Sequence, residues 1–246
     1  MRICLAFLCD DKFKPGLECL FKSLAKHDPS TFALDKIVFT DSDIVTSIFG
    51  KVASCRKIDA SQYAKIPVKN PRFAKAYMKF EMFDLLRDYD RVVFIDSDCL
   101  VLDCLPLLTS EELNGQSIWM AKDDGMGLSK KFEGKHYRMN SGVVVANSVK
   151  LDLTIKKDLI DIANSGKSYD GGDQGVLNIY LNQKIDLMKY LPMEYNCLKR
   201  IYSHHKNIWS KIKPRLLHFV GLNPWDAKQE PEYEELNNLW RKTYEG

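Results

Sequence analysis

The sequence predicts an α/β fold in a single domain, with a mostly parallel, mixed central sheet and helices on both faces. Three observations predict it. Short apolar runs at residues 2–8, 36–39 and 91–95 are rich in Val, Ile and Phe and are each followed closely by Asp, as strands buried on both faces read. Between them lie segments with helical apolar spacing. The alternation of strand, helix and strand favours parallel pairing with helices packed on either side.

Each element follows in order. Met1 to Cys9 has the apolar character of a short signal peptide, but it ends at Asp10-Asp11 with no small-residue cleavage pattern behind it, so it is read as a buried first strand. Pro15 to Lys26 carries Leu17, Leu20, Phe21 and Leu24 at helical spacing. Asn70-Pro71 opens a second helix, with Ala74, Tyr77, Met78, Met82 and Leu85 as its apolar stripe. In the second half, 117–121 and 142–146 read as strands, 151–163 as a helix closed by Asn164-Ser165-Gly166, and a further helix starts near Asp173. Residues 216–220 form a short strand. Pro231 introduces an end helix with Tyr233, Leu236, Leu239, Trp240 and Tyr244 facing inward. The polar segment 122–138 is a loop long enough to be functional. The stretch 199–215 is basic and serves either as a solvated face or as the rim of an anionic ligand.

Composition narrows the function. The chain has 246 residues, 45% of them apolar, a size that one core can serve. Thirty-six basic against 33 acidic residues leave a formal charge of +3, too near balance for a dedicated nucleic-acid binder. Seven cysteines without a CxxC pair argue against a secreted disulfide scaffold and for a reducing, cytoplasmic compartment. No apolar run reaches the roughly 18 residues of a membrane helix.

The chemistry is concentrated where the third apolar run stops, at Asp96-Ser97-Asp98. If these residues stay extended, both carboxylates project to one side. Held that close they repel unless a cation lies between them, and hard oxygen ligands suit magnesium or manganese. The alternative is a polar loop with capping acids. Asn140, in Met139-Asn140-Ser141-Gly142-Val143, offers an amide to a polyol or serves as a turn residue. Asp170-Gly171-Gly172-Asp173-Gln174-Gly175 leads a glycine-rich loop into a helix, where Asp173 is either an N-cap or a functional acid. His218, ending an apolar strand before Phe219-Val220-Gly221, is either structural or a third metal ligand whose imidazole nitrogen shifts preference toward manganese.

DxD, NSGV, DGGDQG and HFxG followed by PW, in this order from about residue 2 to 226, resemble glycosyltransferase family 8. The resemblance implies a GT-A fold with a nucleotide-binding half over 1–105, a donor-sugar and acceptor half over 106–228, and a C-terminal helix over 229–246. It implies a metal-dependent, retaining transfer of a hexose from a UDP-sugar to a hydroxyl of a carbohydrate or glycoconjugate, and it leaves room for a homodimer. By the same resemblance Asp96, Asp98 and His218 hold manganese or magnesium, and Asp96 and Ser97 lie near the ribose. Asp10, Asp11 and Phe13 surround the uracil and ribose, and Lys79 faces donor phosphate or sugar. Asn140, Asp170, Asp173 and Gln174 contact the donor sugar, with Gln174 under the anomeric carbon. Asp123 lies near sugar and acceptor, and Gly221 belongs to the HFxG loop at the diphosphate. One departure stands out: the family's HFxGxxKPW is one residue shorter here, and Asn223 replaces the Lys that grips the diphosphate.

Three other readings compete. A haloacid-dehalogenase-type phosphatase also ends a strand in DxD, but its nucleophilic acid follows the first strand. A sugar-nucleotide-binding module without turnover is suggested by the missing Lys. A glycogenin-like, self-glucosylating role is suggested by Tyr202-Ser203, shortly after Tyr195-Asn196.

Overall fold

The computed structural model describes residues 1–67, 73, 75–123, 138–149, 151–168 and 170–246. The expected helix start at Asn70-Pro71, Ala74 of its stripe and most of the 122–138 loop lie outside these residues.

The apolar runs pair as expected. Strands β1 (Ile3–Leu8), β2 (Asp35–Thr40), β3 (Ser54–Lys57) and β4 (Arg91–Ile95) are mutually parallel, in the order β3-β2-β1-β4. The sheet continues through β7 (Met139–Asn147), antiparallel to β4, then β6 (Ile118–Lys122) and β8 (Met188–Leu191), making seven strands among the described residues. A smaller sheet is built from β5 (Cys99–Val101), β10 (Leu216–His218) and β9 (Cys197–Leu198), in the order β5-β10-β9.

Continuous apolar runs make sense because both faces of the large sheet are covered. Ala6, Phe39, Val92 and Phe94 face one core, where the segment Ala76–Arg87 and the helices Ile155–Asn164 and Asp173–Gln183 pack. Leu5, Phe7, Val38, Val93 and Ile95 point the other way, onto Leu17, Leu20 and Leu24 of the helix Lys14–His27. A third cluster joins Cys19 of that helix to Leu100 and Leu217 of the small sheet, to Phe219 just after it, and to Leu236 and Trp240 of the C-terminal helix Glu234–Glu245.

Several expectations are adjusted. Ala76–Arg87 winds as a 3₁₀ helix and buries Tyr77, Met78, Lys79, Phe80, Met82, Phe83, Leu85 and Leu86. With three residues per turn and helices on its outer side, it covers more than one stripe. The strand expected at 142–146 begins at Met139, so Asn140 and Ser141 are strand residues. The C-terminal helix and the 3₁₀ turn Pro231–Tyr233 before it point Tyr233, Leu236 and Trp240 inward, whereas Leu239 is 39% exposed. The strands β3, β5, β8 and β9 have two to four residues each, too short to carry a readable period.

Asp28 anchors the end of the first helix. Its buried carboxylate accepts from Thr31 N–H (3.0 Å), Thr31 Oγ1 (2.7 Å), Ser30 Oγ (2.6 Å) and Leu105 N–H (2.8 Å). Burial works against the charge, but these donors outweigh it and lower the pKa. A depressed folded-state pKa stabilises fully above the unfolded value near 3.8, and that stabilisation is lost as pH falls below it. Asp28→Asn should therefore cost about 1–2 kcal/mol at pH 7, and the difference from wild type in urea unfolding should shrink as pH is lowered through 4 toward 3.

Candidate functional site

β1 has β2 on one side and β4 on the other, so the carboxyl ends of β1 and β4 flank a topological switch point, where open α/β sheets place their ligands. The structure gathers most of the expected residues around it.

The DxD segment is a turn. Asp96 N–H donates to Gly142 O (2.7 Å) and Cys99 N–H donates back to Asp96 O (3.2 Å), so residues 96–98 break away from β4 instead of continuing it. The chain then enters β5, whose Cys99 lies opposite His218 of antiparallel β10. That register delivers the imidazole. His218 Nε2 lies 3.2 Å from Asp98 Oδ1 and 3.8 Å from Asp96 Oδ2. The carboxylates thus converge through a turn and a neighbouring strand, not through the alternation of an extended chain.

Lys79 neutralises the other side of this cluster. Its ammonium, buried in the 3₁₀ helix, lies 3.0 Å from Asp96 Oδ1 and 2.7 Å from Asp173 Oδ2, and donates to Ser141 O (3.0 Å). Burial disfavours its charge, but Asp173 and Asp96 outweigh that and raise its pKa. Burial in turn pushes the Asp96 carboxyl up to about 6; Lys79 opposes the rise and Asp98 adds to it. With its partners inside the protein, Lys79 supports Asp96 and Asp173 from behind.

Asp173 is the first residue of its helix, with Gly172 at the cap position. It therefore does not act as the N-cap; its carboxylate accepts from Lys79 and from Ser141 Oγ (2.8 Å). Asp170 organises the loop before it, with Oδ1 accepting from Gly172 N–H (2.9 Å), Gly175 N–H (3.0 Å) and Ser168 Oγ (2.8 Å). Burial raises its pKa. Next to Asp173, Gln174 Oε1 accepts from Asn140 Nδ2 (2.9 Å) and Ser141 N–H (3.2 Å), and Gln174 Nε2 donates to Asp123 Oδ2 (2.9 Å). Asp123 is buried and also bonded by Arg200.

The residues expected at the end of β1 form a second group. Asp10 Oδ1 accepts from the backbone of Lys12 (3.0 Å) and Phe13 (3.1 Å), and Asp11 accepts from the Ser42 hydroxyl. Phe13 packs edge-on against Trp225, with ring centroids 6.0 Å apart. Ser97 Oγ donates to Leu8 O (2.6 Å), tying this group to the DxD turn. Gly16 permits the approach, since a Cβ there would lie 2.3 Å from Ser97 O and 2.5 Å from the Trp225 ring. Gly221 follows β10 at φ +95°, where glycine is favoured. Asn223 is 2% exposed, so it presents almost no surface to a ligand.

Sequence reasoning missed Asn196, Ser141, Arg200 and Gly16. Ser141 stood inside a quoted motif, and Arg200 inside the basic stretch. In that stretch Lys199 and Arg215 are also paired within the protein, with Glu230 and with Asp103. Asn196, buried beside His218, has partners 22 and 56 residues away and no local signal.

The donor chemistry fits a divalent cation. Two carboxylate oxygens and an imidazole nitrogen converge, a set that suits manganese better than magnesium. Cys99 offers a sulfur within 4.8 Å of the Asp98 and His218 ligand atoms. Burial, reinforced by Asp98 and Asp96, pushes its thiol well above its ordinary pKa. Asp96 Oδ2, 3.8 Å from His218 Nε2, offers a further carboxylate oxygen at the same place.

The model of the family described as Glycosyl transferase family 8 matches residues 4–229. The chain belongs to this family. Mouse glycogenin-1 is 28% identical over 260 residues, covering 96% of this chain and 73% of that protein; human glycogenin-1 is 26% identical, covering 93% and 63%. The glycosyltransferase GlyB of Streptococcus pneumoniae is 23% identical over 94% of this chain and 60% of its own. Among solved structures, the galactosyltransferase LgtC in complex with donor and acceptor sugar analogs superposes with a TM-score of 0.76 at 19% identity, over 98% of this chain and 95% of that one. GlyE of Streptococcus pneumoniae gives 0.72 at 20% identity, over 99% and 61%. The fold of this family 8 glycosyltransferase is thus the expected GT-A fold, and glycosyl transfer is its general activity. Among the described residues no helix is long and apolar enough to cross a membrane.

Gly142 exposes the site to a simple test. A Cβ there would lie 2.1 Å from His218 Cε1 and 2.9 Å from Asn140 Oδ1, so Gly142→Ala must displace the imidazole. We expect manganese affinity, read by calorimetric titration, to fall by about tenfold or more.

Proposed function

We propose that this family 8 glycosyltransferase moves a hexose from a UDP-sugar to a hydroxyl of a carbohydrate or glycoconjugate, with retention at the anomeric carbon and with a divalent cation, manganese in preference to magnesium. The observation that carries this reading is the convergence of Asp96, Asp98 and His218 at the sheet's switch point, with Lys79 joining Asp96 to the helix that bears Asp173 and Gln174. In this reading residues 1–105 carry the nucleotide and residues 106–228 the donor sugar and acceptor.

Asp96, Asp98 and His218 would hold the cation, which when bound supplies positive charge against the diphosphate leaving group. The chain's own residues do the rest. Asp10, Asp11 and Phe13, at the end of β1, flank the uridine. Asp173, with Gln174 beside it, sets negative charge near a sugar carbon that becomes positively charged as its bond to phosphate lengthens. Lys79 sets a positive charge beside Asp173 and Asp96. Asn140 and Asp123 hold Gln174 from two sides. With Asn223 buried in place of the family's Lys, the diphosphate relies more heavily on the cation.

A self-glucosylating role is the second reading, favoured by the similarity to proteins named glycogenin-1. The surroundings of Tyr202 favour an external acceptor instead. Its hydroxyl bonds Glu235 of the C-terminal helix and its ring packs edge-on against Trp209. Two residues along the same helix, Arg200 reaches Asp123. Positions two apart on a helix point roughly 200° from each other, so Tyr202 faces away from that site.

Asp98→Asn should abolish manganese-dependent hydrolysis of UDP-sugars, assayed across a panel of donors, while circular dichroism stays native. His218→Ala should weaken manganese support more than magnesium support; equal loss with both ions would exclude a nitrogen ligand. Incubation with UDP-glucose should leave the intact mass unchanged, and added hexoses would favour the self-glucosylating reading.

A further inference from the structure

The hydrogen bonds around His218 run in one direction. Asp123 is acceptor-only as a carboxylate, so the Gln174 amide must turn its NH₂ toward it (2.9 Å) and its Oε1 away. Oε1 then accepts from Asn140 Nδ2 (2.9 Å) and from Ser141 N–H (3.2 Å). Asn140 Oδ1 accepts from Gly142 N–H (2.9 Å) and from Asn196 Nδ2 (2.8 Å). Asn196, fully buried, is left with only its Oδ1 to offer His218 Nδ1, 2.9 Å away. An amide oxygen cannot donate, so Nδ1 must carry the hydrogen.

This polarity removes the ordinary ambiguity of amide and imidazole orientation. It is set three times over: by the Asp123 carboxylate at one end and by the backbone N–H groups of Ser141 and Gly142 in the middle. Reversing any one amide would place two oxygens or two NH₂ groups against each other. With Nδ1 turned to Asn196, Nε2 is the nitrogen that faces Asp98 Oδ1 and Asp96 Oδ2.

We propose that Asn196 is a positioning residue: through an amide chain running on to Asn140, Gln174 and Asp123, it holds His218 with Nε2 presented to the cation. The same chain makes the orientation of the cation ligand and that of Gln174 one cooperative unit. The inference rests on the cation reading above, and it goes beyond it by assigning a role to a residue that touches neither cation nor substrate. A ligand imidazole steadied by a partner at its far nitrogen typically loses 10–100-fold in metal affinity when that partner is removed.

Two substitutions separate this role from a packing role. Asn196→Ala removes both bonds and should weaken manganese binding, measured by calorimetry on the 246-residue chain without donor, by about 10–100-fold. Asn196→Asp keeps an acceptor for Nδ1 but sets an oxygen against Asn140 Oδ1. It should therefore restore manganese affinity to the wild-type level or better, while kcat for sugar transfer stays reduced by about tenfold or more, because the repelled Asn140 amide no longer fixes Gln174 from its side. A packing role would not split affinity from kcat in this way. Circular dichroism and the thermal midpoint identify a variant that fails to fold, and Asn196→Asp, nearly isosteric, provides the reading if the alanine variant does. Wild-type manganese affinity in a folded Asn196→Ala, or no recovery in a folded Asn196→Asp, overturns the positioning role and leaves the cation reading standing. Absence of manganese binding in the wild type overturns the cation reading and the positioning role with it.

Discussion

A buried ammonium holds the site together. Lys79 sits in the core between Asp96, at the end of a parallel strand, and Asp173, at the start of a helix more than seventy residues later. Carboxylates gathered in a low-dielectric interior repel one another and favour their neutral forms, so they stay charged only where a counter-charge is fixed beside them. Lys79 is that counter-charge on the inner side. On the outer side the carboxylates of Asp96 and Asp98 meet His218 Nε2, where the proposed cation would complete the balance. The desolvated lysine is itself held in its charged form by the acids it serves, so neither partner is stable without the other.

The architecture supplies these charges from both sheets. The large sheet brings Asp96 against Gly142, two residues from Asn140, at the end of the antiparallel pairing of β4 and β7. The turn at 96–98 then passes the chain into the small sheet, where Cys99 lies opposite His218. Gly142 and Gly16 admit neighbours that a Cβ would exclude, His218 in one case and Ser97 with Trp225 in the other. Close packing thus sets the position of the imidazole, and hydrogen bonding sets its orientation. A site assembled this way needs little rearrangement to present oxygen and nitrogen donors to one ion.

The departure at Asn223 gains meaning in this frame. In the proposed reading a lysine on the loop after β10 would add positive charge at the diphosphate, but Asn223 is buried, with its backbone N–H given to Asp226 Oδ2 (2.8 Å) and its carbonyl accepting from Gln229 Nε2 (3.1 Å). The loop serves the fold here. The basic residues Lys199, Arg200 and Arg215, which the sequence offered as an anion rim or a solvated face, are each tied to an acid of the protein.

Much of this was legible beforehand, for identifiable reasons. The parallel half of the sheet announces itself because strands covered on both faces must be apolar throughout, and each ends where the chain meets polar groups. The four motifs could be read because each is local: a few residues whose chemistry is costly to place in a core without a use. What the sequence could not carry was convergence. Nothing in Asp96-Ser97-Asp98 says that it turns instead of extending, since that follows from β5 pairing with β10, and very short strands leave no periodic trace. Nothing marks Asn196, because an asparagine in a loop is unremarkable until the fold sets His218 on one side of it and Asn140 on the other. Residue types and their local spacing determined which chemistry was available; long-range packing and the directionality of hydrogen bonds decided which atoms face one another.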